Sequence, residues 1–362
     1  MLMNTSVTCK HCKLNLSATQ HAQTICCHGC GRIITVCKYQ ETWNQGKYVS
    51  DTKFYKDSLR QRFLENDCQG SSWSTSTVKY VQSETISSWE APRGKRALLC
   101  GVVYSKQKFR LKGTFNDVNN MRHLLVEHFK FPSSSIHILT EGGTYFHPTK
   151  RNIQAGLKWL VKDCKAGDSL VFYFSGHGLR QPDFDNDELD GFDETICPLD
   201  FKTAGVILDN EINDTIVRPL KPGVRLHAIV DSCHSGTILD LSYIYSLKDK
   251  KWMNNYPPSN VYKGTSGGQA ICFSACEDDQ LAEDTSAFSG KQMSGAMTYT
   301  FIKAILENPD ITYEGIMISM HTAIRQARAT GCLLKRLFRR KILQEPLLSA
   351  SENFDINSTI NL

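Results

Sequence analysis

The sequence predicts an α/β fold with a doubly wound, mainly parallel sheet flanked by helices, and three observations support it. Two apolar runs, 170–174 and 226–230, each lead into small and polar residues, as buried parallel strands do at their carboxyl edge. From residue 95 onward, apolar runs alternate with amphipathic stretches. A chain of 362 residues with 41% hydrophobic and 22% charged content has the composition of a globular protein with one large domain and a small module.

The predicted elements follow in chain order. The predicted strands are 97–103, 135–140, 169–174, 226–230 and 269–274, and 344–349 is extended. Residues 113–130 are predicted as a loop followed by a helix, and the other predicted helices are 149–164, 209–217, 298–307 and 313–328. Thr149 is well suited to cap the second of these helices.

Six of the fourteen cysteines lie within the first forty residues. Cys9-x2-Cys12 and Cys27-x2-Cys30 are separated by 14 residues, the spacing of a zinc ribbon whose four thiolates hold one tetrahedral Zn2+. Metal binding would supply folding energy that so short a segment lacks. A cysteine-rich tail without metal is the alternative, and Cys26 is an alternative ligand to Cys27.

Reactive groups follow two of the predicted strands, at 175–178 and 231–236. His177 and Cys233 predict a Cys–His dyad, because an imidazole beside a thiol stabilises the nucleophilic thiolate. The backbone N–H groups of Gly178 and Cys233 would donate to an oxyanion. A single cysteine is more often a buried structural residue, but two glycine-flanked reactive groups at successive strand ends argue against that role here.

Acidic residues accompany these groups. Asp231 lies two residues before Cys233, on the same side of an extended strand, which suggests a pocket for a basic side chain. A strand-end aspartate bonded to backbone is the alternative. The acidic run 183–194 is either a solvated loop or a calcium-binding segment, and it lacks the residue order of an EF-hand.

Four motifs resemble those of the type I metacaspases: 173–178, 190–194 with 198–200, 231–236, and 294–299. The resemblance covers about residues 95–362. The cysteine-rich segment resembles, in part, the small plant zinc finger named after a lesion-simulating-disease protein, so plant type I metacaspases are the best match. The resemblance implies a caspase-like fold, cleavage after Arg or Lys rather than Asp, calcium activation and frequent self-processing.

The resemblance also implies roles for single residues. Cys233 would be the nucleophile and His177 the general acid/base. The pocket for the basic side chain would be lined by Asp117, Ser175 and Asp231, with Thr114 at its rim where the family often has Cys. Calcium would be held by Asp193, Asp209, Asn210 and Asp240. Because the family has Asp-Asp where Asp209-Asn210 stand, we expect weaker calcium binding than in relatives with both carboxylates.

The predicted organisation follows from these assignments. Residues 1–40 form a zinc-finger prodomain, and 41–92 form a polar linker. Residues 93–362 form the caspase-like catalytic domain. Its parts are a large-subunit-like part, an inter-subunit linker and a small-subunit-like part, at 93–247, 248–268 and 269–362.

The predicted function is a calcium-dependent cysteine endopeptidase, made as a zymogen, in programmed cell death or in stress and defence signalling. One alternative is a zinc-finger interaction protein whose caspase-like domain is a scaffold with little activity. Another is acyl transfer or ligation by the same dyad, since a thioacyl intermediate reacts with whichever nucleophile reaches it.

The expected partners are protein substrates with Arg or Lys at the cleavage position and a protein bound through the zinc finger. The resemblance implies a monomer. A net charge of +5 is modest and the finger lacks a basic recognition helix, so no nucleic acid is expected. No apolar run approaches the roughly 18 residues of a membrane span, and the N-terminus lacks an apolar signal segment. We expect the protein in the cytoplasm, with the nucleus as a second compartment.

Overall fold

The computed structural model divides the chain into two compact units, 1–52 and 53–362. Side chains are described for 86, 89–142, 144–184, 188–232, 235–256, 259, 261–275, 295–326 and 346–362. The backbone alone is described for 5–8, 15–18, 24–26, 33–35, 284–285, 294 and 327–329.

The described part of the first unit consists of two antiparallel hairpins. The first pairs β1 (Thr5–Thr8) with β2 (Asn15–Ala18), and the second pairs β3 (Thr24–Cys26) with β4 (Ile33–Thr35). In the sequence, each predicted cysteine pair falls in the connection of one hairpin. The cysteines themselves lie outside the described residues: Cys9, Cys12, Cys27 and Cys30. The zinc ribbon therefore stays a prediction.

The second unit contains the remaining elements. Its strands are β5 (Lys95–Gly101), β6 (Ile136–Thr140), β7 (Ser169–Ser175), β8 (Gly178–Pro182), β9 (Phe192–Ile196), β10 (Ile207–Leu208), β11 (Arg225–Asp231), β12 (Tyr243–Ser246), β13 (Lys251–Asn254), β14 (Gln269–Ser274), β15 (Asp284–Thr285), β16 (Ser294–Gly295) and β17 (Leu347–Ala350). Its α-helices are α1 (Thr114–His123), α2 (Lys150–Val161), α3 (Phe201–Ala204), α4 (Asp209–Ile212), α5 (Ala296–Glu307) and α6 (Tyr313–Ala329). A 3-10 turn precedes β6 at Ser133–Ser135, and π-helical turns extend α1 and α4 through Leu124–His128 and Asn213–Val217.

A mixed eight-stranded sheet forms the centre of this unit, in the order β13-β12-β17-β14-β11-β7-β5-β6. The five strands from β14 to β6 are parallel, whereas β17, β12 and β13 continue the sheet antiparallel. A separate antiparallel sheet has the order β10-β9-β8, and β15 pairs with β16. The predicted doubly wound, mainly parallel sheet is thus confirmed.

Both faces of the parallel strands are buried, which explains their nearly continuous apolar sequences. In β7, Leu170, Phe172 and Phe174 face one hydrophobic core, and Val171 and Tyr173 face the other. Helix α2 packs over the first face, and α1, α5 and α6 pack over the second. This alternation decides which helices meet the polar residues at the strand ends.

Two segments predicted as loop or linker contain regular structure. The acidic run 183–194 leads into β9, where Asp193 and Glu194 are buried, so these two residues are not part of a solvated loop. The predicted inter-subunit linker 248–268 contains β13, which forms one edge of the central sheet. Strand β13 is short and polar, as edge strands often are, so its sequence gives little signal for a strand.

The second unit begins to pack before residue 93. Ile86 and Trp89, which belong to the predicted linker, are buried in its core. The Trp89 ring stacks on His137 with centroids 3.7 Å apart and meets Trp159 edge-on at 5.7 Å. Within the described ranges, no helix is long and apolar enough to cross a membrane.

Candidate active site

The candidate site lies at the carboxyl ends of β7 and β11. These strands are direct neighbours, and Ser175 pairs with Asp231 as the last residue of each. The chain continues from Ser175 through Gly176 to His177, and from Asp231 to Ser232. The predicted nucleophile, Cys233, lies outside the described residues, between the fully buried Ser232 and Ser235.

Hydrogen bonds fix the His177 imidazole. Its Nε2 lies 2.7 Å from the carbonyl oxygen of Phe109. Because a carbonyl only accepts, Nε2 carries the proton in the neutral ring and Nδ1 is left as the basic nitrogen. The backbone N–H of His177 donates to the Tyr104 hydroxyl at 3.0 Å, and that hydroxyl donates to the Cys197 carbonyl at 2.6 Å. The ring of Tyr104 packs against the imidazole with centroids 4.8 Å apart.

The backbone on the C-terminal side of Cys233 is tied to β14. The Ser235 hydroxyl donates to the Ser232 carbonyl at 3.0 Å and accepts from the Ala275 N–H at 3.2 Å. The Ser274 hydroxyl donates to the Gly236 carbonyl at 3.2 Å. These bonds hold Ser235 and Gly236 against Ser232 and the end of β14.

Two other cysteines have the environment of structural residues. Burial raises the pKa of the Cys100 thiol, and it raises the pKa of Cys272 to about 12. Both side chains are fully buried in the apolar core. A thiol of this kind stays protonated at neutral pH and does not act as a nucleophile.

The predicted oxyanion donors are only partly described. Gly178 is buried, is the first residue of β8 and lies opposite Ile196 in β9, directly after His177 in the chain. The second predicted donor, the N–H of Cys233, lies outside the described residues.

Two buried carboxylates lie beside the strand ends. Asp117 on α1 is 1% exposed, and Asp231 at the end of β11 is 4% exposed. The Ser175 hydroxyl donates to Oδ2 of Asp117 at 3.5 Å. Burial, and then the charges of Asp117 and Asp231, raise the pKa of Tyr173 well above its ordinary value, so both carboxylates act on the same hydroxyl. We call Asp117, Ser175 and Asp231 with the residues that bond to them the acidic pocket.

The start of α5 completes this pocket. The Gly295 N–H donates to Oδ2 of Asp117 at 2.9 Å. The backbone N–H and the hydroxyl of Thr298 both donate to Oδ2 of Asp231, at 2.8 and 2.7 Å. Because that hydroxyl donates to Asp231, it accepts from the Tyr173 hydroxyl, 2.9 Å away. Sequence reasoning missed the roles of Gly295 and Thr298, although both belong to the motif 294–299.

Thr114, predicted at the rim of the pocket, is the first residue of α1 and is 3% exposed. Within the described part of the chain, its hydroxyl has no hydrogen-bond partner. A buried polar group without a protein partner costs stability and is suited to contact a ligand.

A second acidic cluster lies near β9 and α4. Oδ2 of Asp209 accepts from the Glu194 N–H at 2.7 Å, and Oδ1 accepts from the Asn210 N–H at 2.8 Å. Burial, followed by the charges of Asp240 and Glu194, raises the pKa of Asp209 well above its ordinary value. The three carboxyl groups are therefore close together. Asp193 is also buried, and its Oδ2 accepts from Gln181 of β8 at 3.2 Å.

One lysine enters this cluster. The ammonium of Lys263 forms ion pairs with Asp240 and with Glu188, the latter at 2.6 Å, and the side chain is 2% exposed. Among the described residues, no three His, Cys, Asp or Glu side chains already have a metal-binding arrangement. The predicted donor set, however, consists of three buried carboxylates and the amide of Asn210, and such oxygen atoms are the ligands of a hard cation such as Ca2+.

Comparisons with known proteins identify the family of this chain. A family profile described as "Metacaspase, peptidase C14 domain" matches residues 95–242. Metacaspase-1 of Arabidopsis thaliana is 47% identical over 285 residues, which is 73% of this chain and 78% of that protein. Metacaspase-1B of Neurospora crassa is 38% identical over 304 residues, 72% of this chain and 68% of that protein. The chain therefore belongs to the metacaspase family, and its identity to the plant relative is the higher of the two.

Among solved structures, the crystal structure of a protein from Geobacter sulfurreducens matches with a TM-score of 0.47 and 21% sequence identity, over 74% of this chain and 97% of that chain.

Family membership makes the protein a cysteine-type endopeptidase that acts on protein substrates after Arg or Lys.

Proposed function

We propose that this chain is a calcium-dependent endopeptidase that uses Cys233 and His177 to cleave after Arg or Lys. The observation that carries the proposal is the buried acidic pocket beside the strand end that presents His177. The proposal includes two further features of type I metacaspases. The protein is made as a zymogen that processes itself, and its zinc finger is held by Cys9, Cys12, Cys27 and Cys30. We assign it to the cytoplasm, as a monomer, in cell-death or stress and defence signalling.

The orientation of His177 supports the proposed dyad. With Nε2–H donated to the Phe109 carbonyl, Nδ1 accepts the proton of the Cys233 thiol. The thiolate attacks the carbonyl carbon of the scissile bond, and the N–H groups of Gly178 and Cys233 stabilise the oxyanion. His177 returns the proton to the leaving amine. Water then hydrolyses the thioester and regenerates the thiol.

The acidic pocket accounts for the choice of residue. Asp117 and Asp231 are both buried, so a guanidinium or ammonium group entering between them meets two carboxylates at low dielectric. An Asp side chain would add a third negative charge there and be repelled. The Thr114 hydroxyl offers one further hydrogen bond at the rim.

The second acidic cluster is the proposed calcium site. Asp193, Asp209, Asn210 and Asp240 would hold the ion, with Glu194 beside them. When bound, Ca2+ supplies positive charge that neutralises buried carboxylates and fixes their positions. The cluster is linked to the dyad, because β9 pairs with β8, which begins next to His177, and the Cys197 N–H donates to the His177 carbonyl at 2.9 Å.

The decisive experiment measures cleavage of three peptides that differ only in having Arg, Lys or Asp before the scissile bond. Purified full-length protein is assayed with calcium and with chelator, beside Cys233→Ala. We expect calcium-dependent cleavage after Arg and Lys that the alanine variant lacks. Cleavage after Asp would refute the pocket, and equal rates in chelator would refute the calcium site. A folded protein inactive on all three peptides would favour the scaffold alternative.

A further inference from the structure

Lys263 is a buried lysine outside the predicted catalytic residues. It belongs to the segment 255–268 between β13 and β14, where its neighbours Val261 and Tyr262 are 39% and 58% exposed. The apolar side chains therefore face solvent while the lysine is 2% exposed. Lysine is rarely buried so completely unless it is paired, and here the pairing involves Asp240 and Glu188.

The ammonium lies on a carboxylate that the calcium proposal needs. Asp240 is one of the proposed ligands, and it interacts electrostatically with Asp209, another one. A lysine ammonium supplies one positive charge to this cluster, whereas calcium would supply two and requires six to eight oxygen ligands. With Lys263 in place, an Asp240 oxygen is occupied and an approaching cation is repelled. The ammonium and calcium therefore compete for the Asp240 carboxylate.

We propose that Lys263 is the internal counter-ion of the calcium site, and that calcium binding displaces its ammonium from Asp240. The inference rests on the proposed calcium dependence and adds a named competitor to it. Displacement removes one of the two ion pairs that hold the described residues around Lys263 against the acidic cluster. After displacement Lys263 keeps its ion pair with Glu188 at 2.6 Å and the 3.4 Å bond that its carbonyl accepts from the Ser242 hydroxyl. Calcium binding thus loosens the attachment of the residues around Lys263 by removing one ion pair.

The direct test is chemical labelling of lysine amines in the full-length Cys233→Ala protein, followed by mass spectrometry. Lys263 should be protected in chelator and should be labelled faster when calcium is added, because its ammonium then has one carboxylate partner instead of two. Lys251, an exposed lysine of β13, is the internal control and should label equally in both conditions. Continued protection of Lys263 at saturating calcium would overturn the inference.

Calorimetric titration with calcium provides the second test. Lys263→Met should bind calcium more tightly by about tenfold, within the range typical of two coupled ligands, and Lys251→Met should match the parent protein. Unchanged affinity in a folded Lys263→Met protein would refute the competition.

The two proposals fail in different ways. If the parent protein binds calcium while Lys263 stays protected, calcium dependence stands and the displacement is wrong. If neither the parent protein nor Lys263→Met binds calcium, the calcium site and the displacement are both wrong.

Discussion

Replacing Thr298 with valine removes one hydroxyl from the acidic pocket and leaves the shape of the side chain almost unchanged. The hydroxyl donates to Asp231 at 2.7 Å and accepts from Tyr173, and both it and Tyr173 are fully buried. The backbone N–H of residue 298 still donates to Asp231 in the variant. Thr298 is therefore a positioning residue, which acts through Asp231.

The magnitude follows from the bond that is lost. A hydrogen bond to a charged acceptor contributes about 1.5–3 kcal/mol. At about 1.4 kcal/mol per tenfold, kcat/KM for an Arg peptide should fall by about 10- to 100-fold. Most of the loss should be in KM, because Asp231 contacts a part of the substrate that does not react.

The assay is steady-state cleavage of an Arg peptide, together with the rate of thiol alkylation by iodoacetamide. Thr298→Ser keeps the hydroxyl and should restore cleavage. Thr300→Val is the matched control, since that buried hydroxyl lies on the same helix and, among the described residues, bonds only to the carbonyls of Ala296 and Met297. A folded Thr298→Val protein with kcat/KM within about twofold of the parent would refute the reasoning.

Four further predictions concern other parts of the structure. Tyr104→Phe removes the hydroxyl that holds the backbone of His177, so kcat should fall by about tenfold at constant KM in peptide assays. Burial lowers the pKa of His227 to about 3, so below pH 6.5 only the unfolded chain takes up that proton. The free energy of unfolding should fall by about 1.6 kcal/mol from pH 6.5 to 5, and urea titrations of His227→Gln should not show this loss. Trp89→Ala should cost about 3–5 kcal/mol in the same titrations, and a change below about 1 kcal/mol would contradict its place in the core. Asn210→Asp should tighten calcium binding, and an unchanged calorimetric midpoint would contradict a role for residue 210 as a ligand.

The sequence was sufficient to predict the sheet and the position of its reactive edge. Two apolar runs ending in glycine, serine and a reactive residue indicate parallel strands, and strands one crossover apart are commonly neighbours. The structure accordingly pairs Ser175 with Asp231. The helix beginning after Thr149 was also predictable, because threonine is a common N-cap residue. In the structure the Thr149 hydroxyl accepts from the Asn152 N–H as an N-cap does.

Other parts of the site had no local signal. The Phe109 carbonyl that orients His177 is a backbone group, which every residue possesses. Thr298 reaches Asp231 across 67 positions of the chain, so only the packing of α5 on the sheet brings them together. Lys263 lies in a polar segment where a lysine is expected in solvent, and its burial depends on carboxylates from distant elements.

The order of strands in the central sheet has a consequence for a chain that is cut between β13 and β14. The C-terminal fragment would contribute β14 and β17, which lie between β11 and β12 of the N-terminal fragment. The two fragments are therefore interleaved, and neither can leave without breaking ladders on both sides. A cut protein would run as two bands on a denaturing gel and as one particle on a sizing column. If the two fragments were made as separate chains, β11 and β12 of one and β14 and β17 of the other would each lack a neighbouring strand until the fragments associate.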